Sequence, residues 1–115
     1  EIRIAAITVL AEQIQSGKHQ SASDALFKAL SDRSSEVRAE AATMAGKTLE
    51  PEDASEKLCE LLNDDSVQVR KNASLALMKM EATESITALK TALKNEQDDQ
   101  ARAVINVAVN VLEKG

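Results

Sequence analysis

The sequence predicts an all-α protein, a right-handed solenoid of about seven helices arranged as three and a half stacked units. Three observations carry that expectation. The first is one phrase written at a fixed interval: Leu30-Ser31-Asp32-Arg33-Ser34-Ser35-Glu36-Val37-Arg38 returns as Leu62-Asn63-Asp64-Asp65-Ser66-Val67-Gln68-Val69-Arg70, and again, more loosely, between Leu93 and Arg102. Arg38, Arg70 and Arg102 are 32 residues apart, and Arg3 precedes Arg38 by 35. A period in this range marks supersecondary units that bury their apolar faces against one another. The second is composition: the 43% hydrophobic content is mostly Ala, Leu, Val and Ile, with Phe27 the sole aromatic residue, three glycines and one proline. Such a chain favours helices. The third is spacing, because apolar residues recur at i, i+4, i+7, i+8 and i+11, one stripe on a 3.6-residue helix.

Taken in order, residues 1–15 form the first helix, with Ile2, Ala6, Val9 and Leu10 as its buried stripe. The polar, Gly-containing stretch Gln15-Ser16-Gly17-Lys18-His19-Gln20 is the longest linker and is expected to be the most mobile loop. A short helix follows, with Ala22, Ala25, Leu26, Ala29 and Leu30 on one side and Ser21 or Ser23 as its N-cap. Residues 35–48 make a longer helix with Val37, Ala41, Met44, Ala45 and Thr48 inward. Pro51 sits at an early position of the next short helix, where a missing N–H costs nothing, and Ala54, Leu58, Leu61 and Leu62 form its stripe. Residues 67–80 repeat the longer pattern with Val69, Ala73, Ala76, Leu77 and Met80. Thr83 is placed to cap the third short helix, which carries Ile86, Leu89 and Leu93, and residues 99–113 close the chain with Ala101, Ile105, Ala108, Val109 and Leu112. The expected organisation is one domain over 1–115, in units 1–15, 21–48, 52–80 and 83–113.

The ends carry more apolar residues than one face needs. Ile2, Ile4, Ala5, Ala6, Ile7, Val9 and Leu10 crowd the first helix, and Val104, Ile105, Val107, Ala108, Val109, Val111 and Leu112 the last. A repeat facing water needs a polar outer side, so at least one end is expected to pack on something outside this sequence: further repeats, a second copy (self-association) or a partner. The alternative is that the valines sit half exposed. A chain opening on Glu rather than Met suggests a processed protein or a piece of a longer one.

Charge and cysteine content narrow the classes. A net charge of −5 and a pI near 4.9 give no basic footprint for nucleic acid. Cys59 is alone, so no internal disulfide forms within one chain, and a reducing, cytoplasmic setting is expected. No apolar run reaches membrane-spanning length and no secretory leader opens the chain.

Between the helices of each pair, Asp and Arg stand six residues apart, as Asp32 with Arg38 and Asp64 with Arg70. The carboxylate can accept backbone N–H groups where the second helix begins, and the Arg fork can reach that carboxylate or the one in the adjacent unit. The signature Leu-x-Asp-x-x-x-x-Val-Arg-x-x-Ala-Ala, present as Leu30, Asp32, Val37, Arg38, Ala41 and Ala42 and again as Leu62, Asp64, Val69, Arg70 and Ala73, resembles the HEAT repeat. It is most similar to the short HEAT-like type of the phycobilin-lyase repeat family, and the resemblance covers essentially the whole chain. It implies a structural ladder along the solenoid, occupied by Asp32, Arg38, Asp64, Arg70 and Arg102. The last unit departs from the pattern: Ala101 replaces Val, the turn is one residue longer, and Asn95 or Glu96 must stand in for Asp.

No residue set suggests chemistry. His19 is the single histidine and lies in the polar linker. Cys59, flanked by Glu56 and Glu60, reads as a buried inert thiol. Met44, Met78 and Met80 fill gaps at helical spacing, and Asp64-Asp65 and Asp98-Asp99 sit in turns, where capping accounts for them. The paired His-Glu motifs of HEAT-like hydroxylases are missing, as are the basic and aromatic surfaces of HEAT-like DNA glycosylases and any Gly-rich phosphate loop. The expectation is therefore no catalytic residue, no metal, no cofactor, and a chain that is not an enzyme: a non-catalytic scaffold or adaptor for an unidentified protein partner. Its binding surface would be the face opposite the core stripe: Ile4, Thr8 and Ala11; Ala39, Thr43 and Gly46; Lys71, Leu75 and Met78; Ala103, Val107 and Asn110. Within it Lys71, Leu75, Met78, Ala103 and Val107 form the candidate partner site, a groove for a helix or peptide. Packing between units is the competing account of the same residues. The resemblance also implies an alternative function, a subunit or accessory factor of a bilin lyase-type complex that attaches or detaches a tetrapyrrole.

Overall fold

The computed structural model describes residues 2–15 and 20–115, with side chains over 4–12 and 22–115. Within them run seven α-helices and no strand: α1 (Ile2–Gln15), α2 (Gln20–Ala29), α3 (Ser35–Thr48), α4 (Pro51–Leu61), α5 (Val67–Lys79), α6 (Ile86–Asn95) after a single 3-10 turn at Thr83–Ser85, and α7 (Asp99–Lys114). The longer helices stack side by side as one layer, α1 on α3, α3 on α5 and α5 on α7. The short helices form the second layer, with α2 against α1 and α3, α4 against α5 and α6 against α7. This is the all-α solenoid that the period predicts.

Helices α3, α5 and α7 start the same way because the turns before them repeat the same chemistry. Ser34 and Ser66, in extended conformation, accept the amides of Val37 and Val69 through Oγ, and Asp98 accepts that of Ala101. These N-caps satisfy N–H groups that have no partner inside the helix. Pro51 occupies the first turn of α4. Two other cap expectations fail. Helix α2 already begins at Gln20, which places Ser21 and Ser23 inside it, and Thr83 opens the 3-10 turn without capping α6.

The core is continuous from α1 to α7, with Leu26, Leu30, Leu58, Leu77, Leu89 and Ile105 fully enclosed. Small residues set the spacing of the long helices. A Cβ built on Gly46 would lie 2.7 Å from the Cα of Ala76, so α3 and α5 approach as closely as their backbones allow. The predicted stripes on α3, α5 and α7 point inward, with Met44, Thr48 and Met80 half-buried at the margin. The stripe on α1 is rotated: Ile7 and Ala11 are buried, whereas Ala6 and Val9 are exposed. Among the described residues α1 packs mainly on α2 and α3, and it buries the side facing them. Apolar residues at the last helix divide similarly. Five face the core, while Val107 and Val111 are about half exposed.

At the end of α5 the chain reverses through Glu81, which takes a left-handed conformation (φ 57°). The amide of Ala82 then bonds back to the carbonyl of Leu77 at 3.0 Å, closing the helix as glycine-terminated helices usually do. His19 and the linker around it lie outside the described residues.

Candidate functional site

Two features of the stacked turns bear on function: a ladder of ion pairs along one edge and an exposed apolar strip on the long helices. In the ladder each arginine reaches two ways. Arg38 donates through Nη1 to the carbonyl of Asp32 in its own turn at 2.8 Å. Its Nε and Nη2 donate to the two carboxylate oxygens of Asp64, one unit ahead, at 2.8 and 3.0 Å. Arg70 repeats the pattern, with Nη1 on the Asp64 carbonyl at 2.8 Å and Nε and Nη2 on the carboxylate of Glu96 at 2.7 and 2.9 Å. The structure thus favours the adjacent unit over the same unit as the source of the carboxylate.

The acids have a second duty. Asp32 accepts the amide of Ser34, Asp64 that of Ser66 and Glu96 that of Asp98, at 2.8 to 3.0 Å, so each orders the residue that caps the next helix. Glu96 fills the rung in the last turn, and Asn95, the final residue of α6, does not; that turn, residues 96–98, is shorter than those at 30–34 and 62–66, not longer as the spacing suggests. Burial tends to raise the Asp64 carboxyl, but the Arg38 guanidinium, the Ser66 amide and the Arg70 charge outweigh it and hold the group below the usual aspartate range. The Arg70 hydrogen bond, against burial and aided by the amides of Asp98 and Gln97, likewise holds Glu96 low. Both arginines are pushed further up by the same bonds. Arg102 donates Nη1 to the Glu96 carbonyl at 3.1 Å and has no carboxylate partner among the described residues.

The predicted partner surface divides. Ile4 is half-buried, and Ala11, Ala39 and Gly46 are buried in the packing between long helices, while Thr8 is exposed and Thr43 half-buried, so inter-unit packing accounts for most but not all of the pattern on α1 and α3. On α5 and α7, Leu75 (41% exposed) and Val107 (49%) occupy equivalent positions on neighbouring helices. Ala103 is exposed and Met78 half-buried, and Lys71, also half-buried, donates to Gln100 at 3.3 Å across the two helices. The strip ends in a cleft of about 420 Å³ that includes Met78, Thr83, Val111 and Leu112, with Lys79 and Glu81 as its charged lining. The sequence reading missed this cleft because the left-handed turn at Glu81, which shapes one side of it, has no glycine to mark it.

Cys59, expected to be buried, is half-buried. Burial pushes the Cys59 thiol up, with Glu84 and Glu56 adding to it and a 3.3 Å hydrogen bond to Ser85 opposing it. No group of His, Cys, Asp and Glu side chains among the described residues is arranged to hold a metal. No helix among them is long and apolar enough to cross a membrane.

Against known proteins, the family described as HEAT repeats matches residues 1–74 and again 24–110. A protein of Synechococcus sp. (strain WH8020) named bilin biosynthesis protein MpeU is 49% identical over 114 residues, 99% of this chain. The chain spans 38% of that relative's length. This finding corrects one expectation. The lack of a catalytic motif led to a reading of the chain as no enzyme, yet a relative at this identity is named for biosynthesis, which points to a catalytic role. The absence of hydroxylase, glycosylase and phosphate-loop motifs excludes only the chemistries those motifs serve.

Proposed function

The chain belongs to the HEAT-repeat family, and from that premise we propose that it is the repeat-bearing portion of a bilin-handling enzyme, of the kind that joins a linear tetrapyrrole to a protein or removes it. The observation that carries this reading is the 49% identity, sustained along the whole chain, to a protein named for bilin biosynthesis. HEAT repeats build extended surfaces for protein partners, so the solenoid's part is to hold the protein that receives or gives up the chromophore. The exposed strip of Leu75 and Val107 supports this, since large apolar side chains on equivalent positions of adjacent helices suit a partner helix. A bilin combines a flat, largely apolar conjugated body with acidic side chains. The cleft at Met78, Val111 and Leu112 has an apolar wall that suits the conjugated body, with Lys79 and Glu81 both at its lining, of which only Lys79 can meet an acidic side chain. The single half-buried cysteine suits a reducing, cytoplasmic setting.

The test is to mix the full-length polypeptide with free bilin, with and without a candidate acceptor protein, and follow visible absorbance and covalent transfer on a denaturing gel. A spectral shift with the polypeptide, and chromophore on the acceptor only when it is present, supports the proposal. No shift and no transfer under either condition overturns it.

A further inference from the structure

We propose that a recess around Phe27, on the short-helix layer of the solenoid, receives an arginine side chain of a partner protein. Phe27 is the sole aromatic residue of the chain. It stands 41% exposed, while its neighbours Leu26 and Leu30 are fully enclosed. Ser23, Asp24 and Phe27 of α2, Leu49 beyond α3 and Asp53 of α4 line the recess, whose volume is about 250 Å³. Both aspartates are exposed, and Asp53 makes no ion pair among the described residues.

The repeat supplies its own comparison. One period on, Cys59 stands where Phe27 does and Ser85 where Asp53 does, each 32 residues later. There the Cys59 thiol donates to the Ser85 hydroxyl at 3.3 Å, and Ser85 is buried. Small side chains therefore satisfy this place in the fold, and packing does not call for the ring and carboxylate of the earlier unit. Asp53 also lies in the first turn of α4, where the helix dipole favours an anion, so its role in binding is read separately from stability.

Size, shape and charge select the occupant. Sites for drug-sized ligands run from about 300 to 1,000 Å³, so this smaller recess holds one side chain and not a tetrapyrrole. Carboxylates at the rim reject an anion, and a purely apolar occupant would strip them of water without giving them a partner. A guanidinium meets both demands: its weakly hydrated plane stacks on an aromatic face, and its N–H fork bonds a carboxylate. An ammonium is a more strongly hydrated point charge with no plane to lay on the ring. The recess belongs to the short helices, whereas Leu75 and Val107 lie on long ones, so this contact is separate from that strip and from any bilin.

The experiment titrates the intact polypeptide with a capped glycine–serine peptide carrying one arginine, and with versions carrying citrulline or lysine in its place. NMR follows the Phe27 ring protons, identified by their loss in Phe27→Leu, and the side-chain methylenes of the peptide. The expected result is saturable binding of the arginine peptide, with ring-current shifts of its methylenes that vanish in Phe27→Leu. Asp53→Asn weakens binding roughly threefold or more, the citrulline peptide does not bind, and Leu75→Asp changes nothing. Phe27 and Asp53 are both exposed, and thermal midpoints show that the variants stay folded. Absence of saturable shifts, equal binding of the citrulline peptide, or affinity unaltered in Asp53→Asn overturns the proposal. So does loss of binding in Leu75→Asp, which moves the contact to the other layer, or tighter binding of the lysine peptide, which assigns the recess to an ammonium.

Discussion

Arg70 and Glu96 join two neighbouring helix pairs through parallel hydrogen bonds of 2.7 and 2.9 Å, and the Glu96 side chain is only 3% exposed. Removing the arginine therefore strands an enclosed carboxylate that also orders the cap of α7. Arg70→Ala is expected to lose about 3 kcal/mol, the lower part of the range for breaking a buried pair, because the guanidinium edge still touches water. Arg70→Lys is expected to recover part of this, since a point charge cannot make both bonds. Urea unfolding of the three proteins checks the order.

The same carboxylates predict an acid limb. Asp64 and Glu96 bind protons less readily in the folded chain than in the unfolded one. The unfolded state thus takes up more protons as pH falls, and acid favours unfolding. Their contribution is complete above the ordinary values of 3.8 and 4.5 and is lost as pH drops through the lower folded values. Thermal midpoints measured from pH 7 down to 3 should fall steeply only at the acid end. Glu96→Gln should lower the midpoint at neutral pH and flatten that limb.

Close approach of α3 and α5 makes Gly46 intolerant of a methyl group. Gly46→Ala gains about 1 kcal/mol of helix propensity. It also drives a Cβ to 2.7 Å from a backbone atom of Ala76, and overpacking of this kind costs up to about 3 kcal/mol. The net expectation is a lower denaturation midpoint. Ala76→Gly should rescue it only in part, because the Ala76 Cα remains in the way.

Glu81 holds a left-handed backbone (φ 57°) that costs a side-chain-bearing residue about 1–2 kcal/mol. Glu81→Gly is expected to raise the melting temperature, while Glu81→Val lowers it. A calorimetric scan of the pair decides the matter.

The exposed strip separates binding from folding. Leu75→Asp and Val107→Asp alter side chains already open to water, so stability should move by about 0.5 kcal/mol or less. Affinity for the bilin-carrying or bilin-accepting protein should fall at least roughly tenfold if that strip is a central contact. Calorimetric titration alongside a melting curve gives both readings.

The sequence made the helices legible because α3, α5 and α7 each carry their own stripe and their own cap, both local properties. Arg38, Arg70 and Arg102 could be aligned by spacing, and the residue standing in for Asp in the last turn narrowed to Asn95 or Glu96. What spacing could not supply was the partner in space. Whether Arg38 turns to Asp32 or to Asp64 depends on how far apart the units stand, which Gly46 and Ala76 set through a contact between segments remote in sequence. The rotated face of α1 was hidden for the same reason: a stripe predicts which side can be buried, and the neighbours decide which side is. The cleft beside Val111 depends on Glu81 accepting a backbone that its residue type disfavours.

Because every complete rung ties a unit to the one after it at a constant offset, the fold has an allowed quantum of length. Excising residues 33–64, one full period of 32, would bring Asp32 six positions ahead of Arg70 and leave the Arg70–Glu96 clasp intact. A cut that is not a whole number of periods would instead break the spacing of the turn and helix at the junction. An architecture of this kind can therefore lengthen or shorten by whole modules while the remaining clasps keep their spacing.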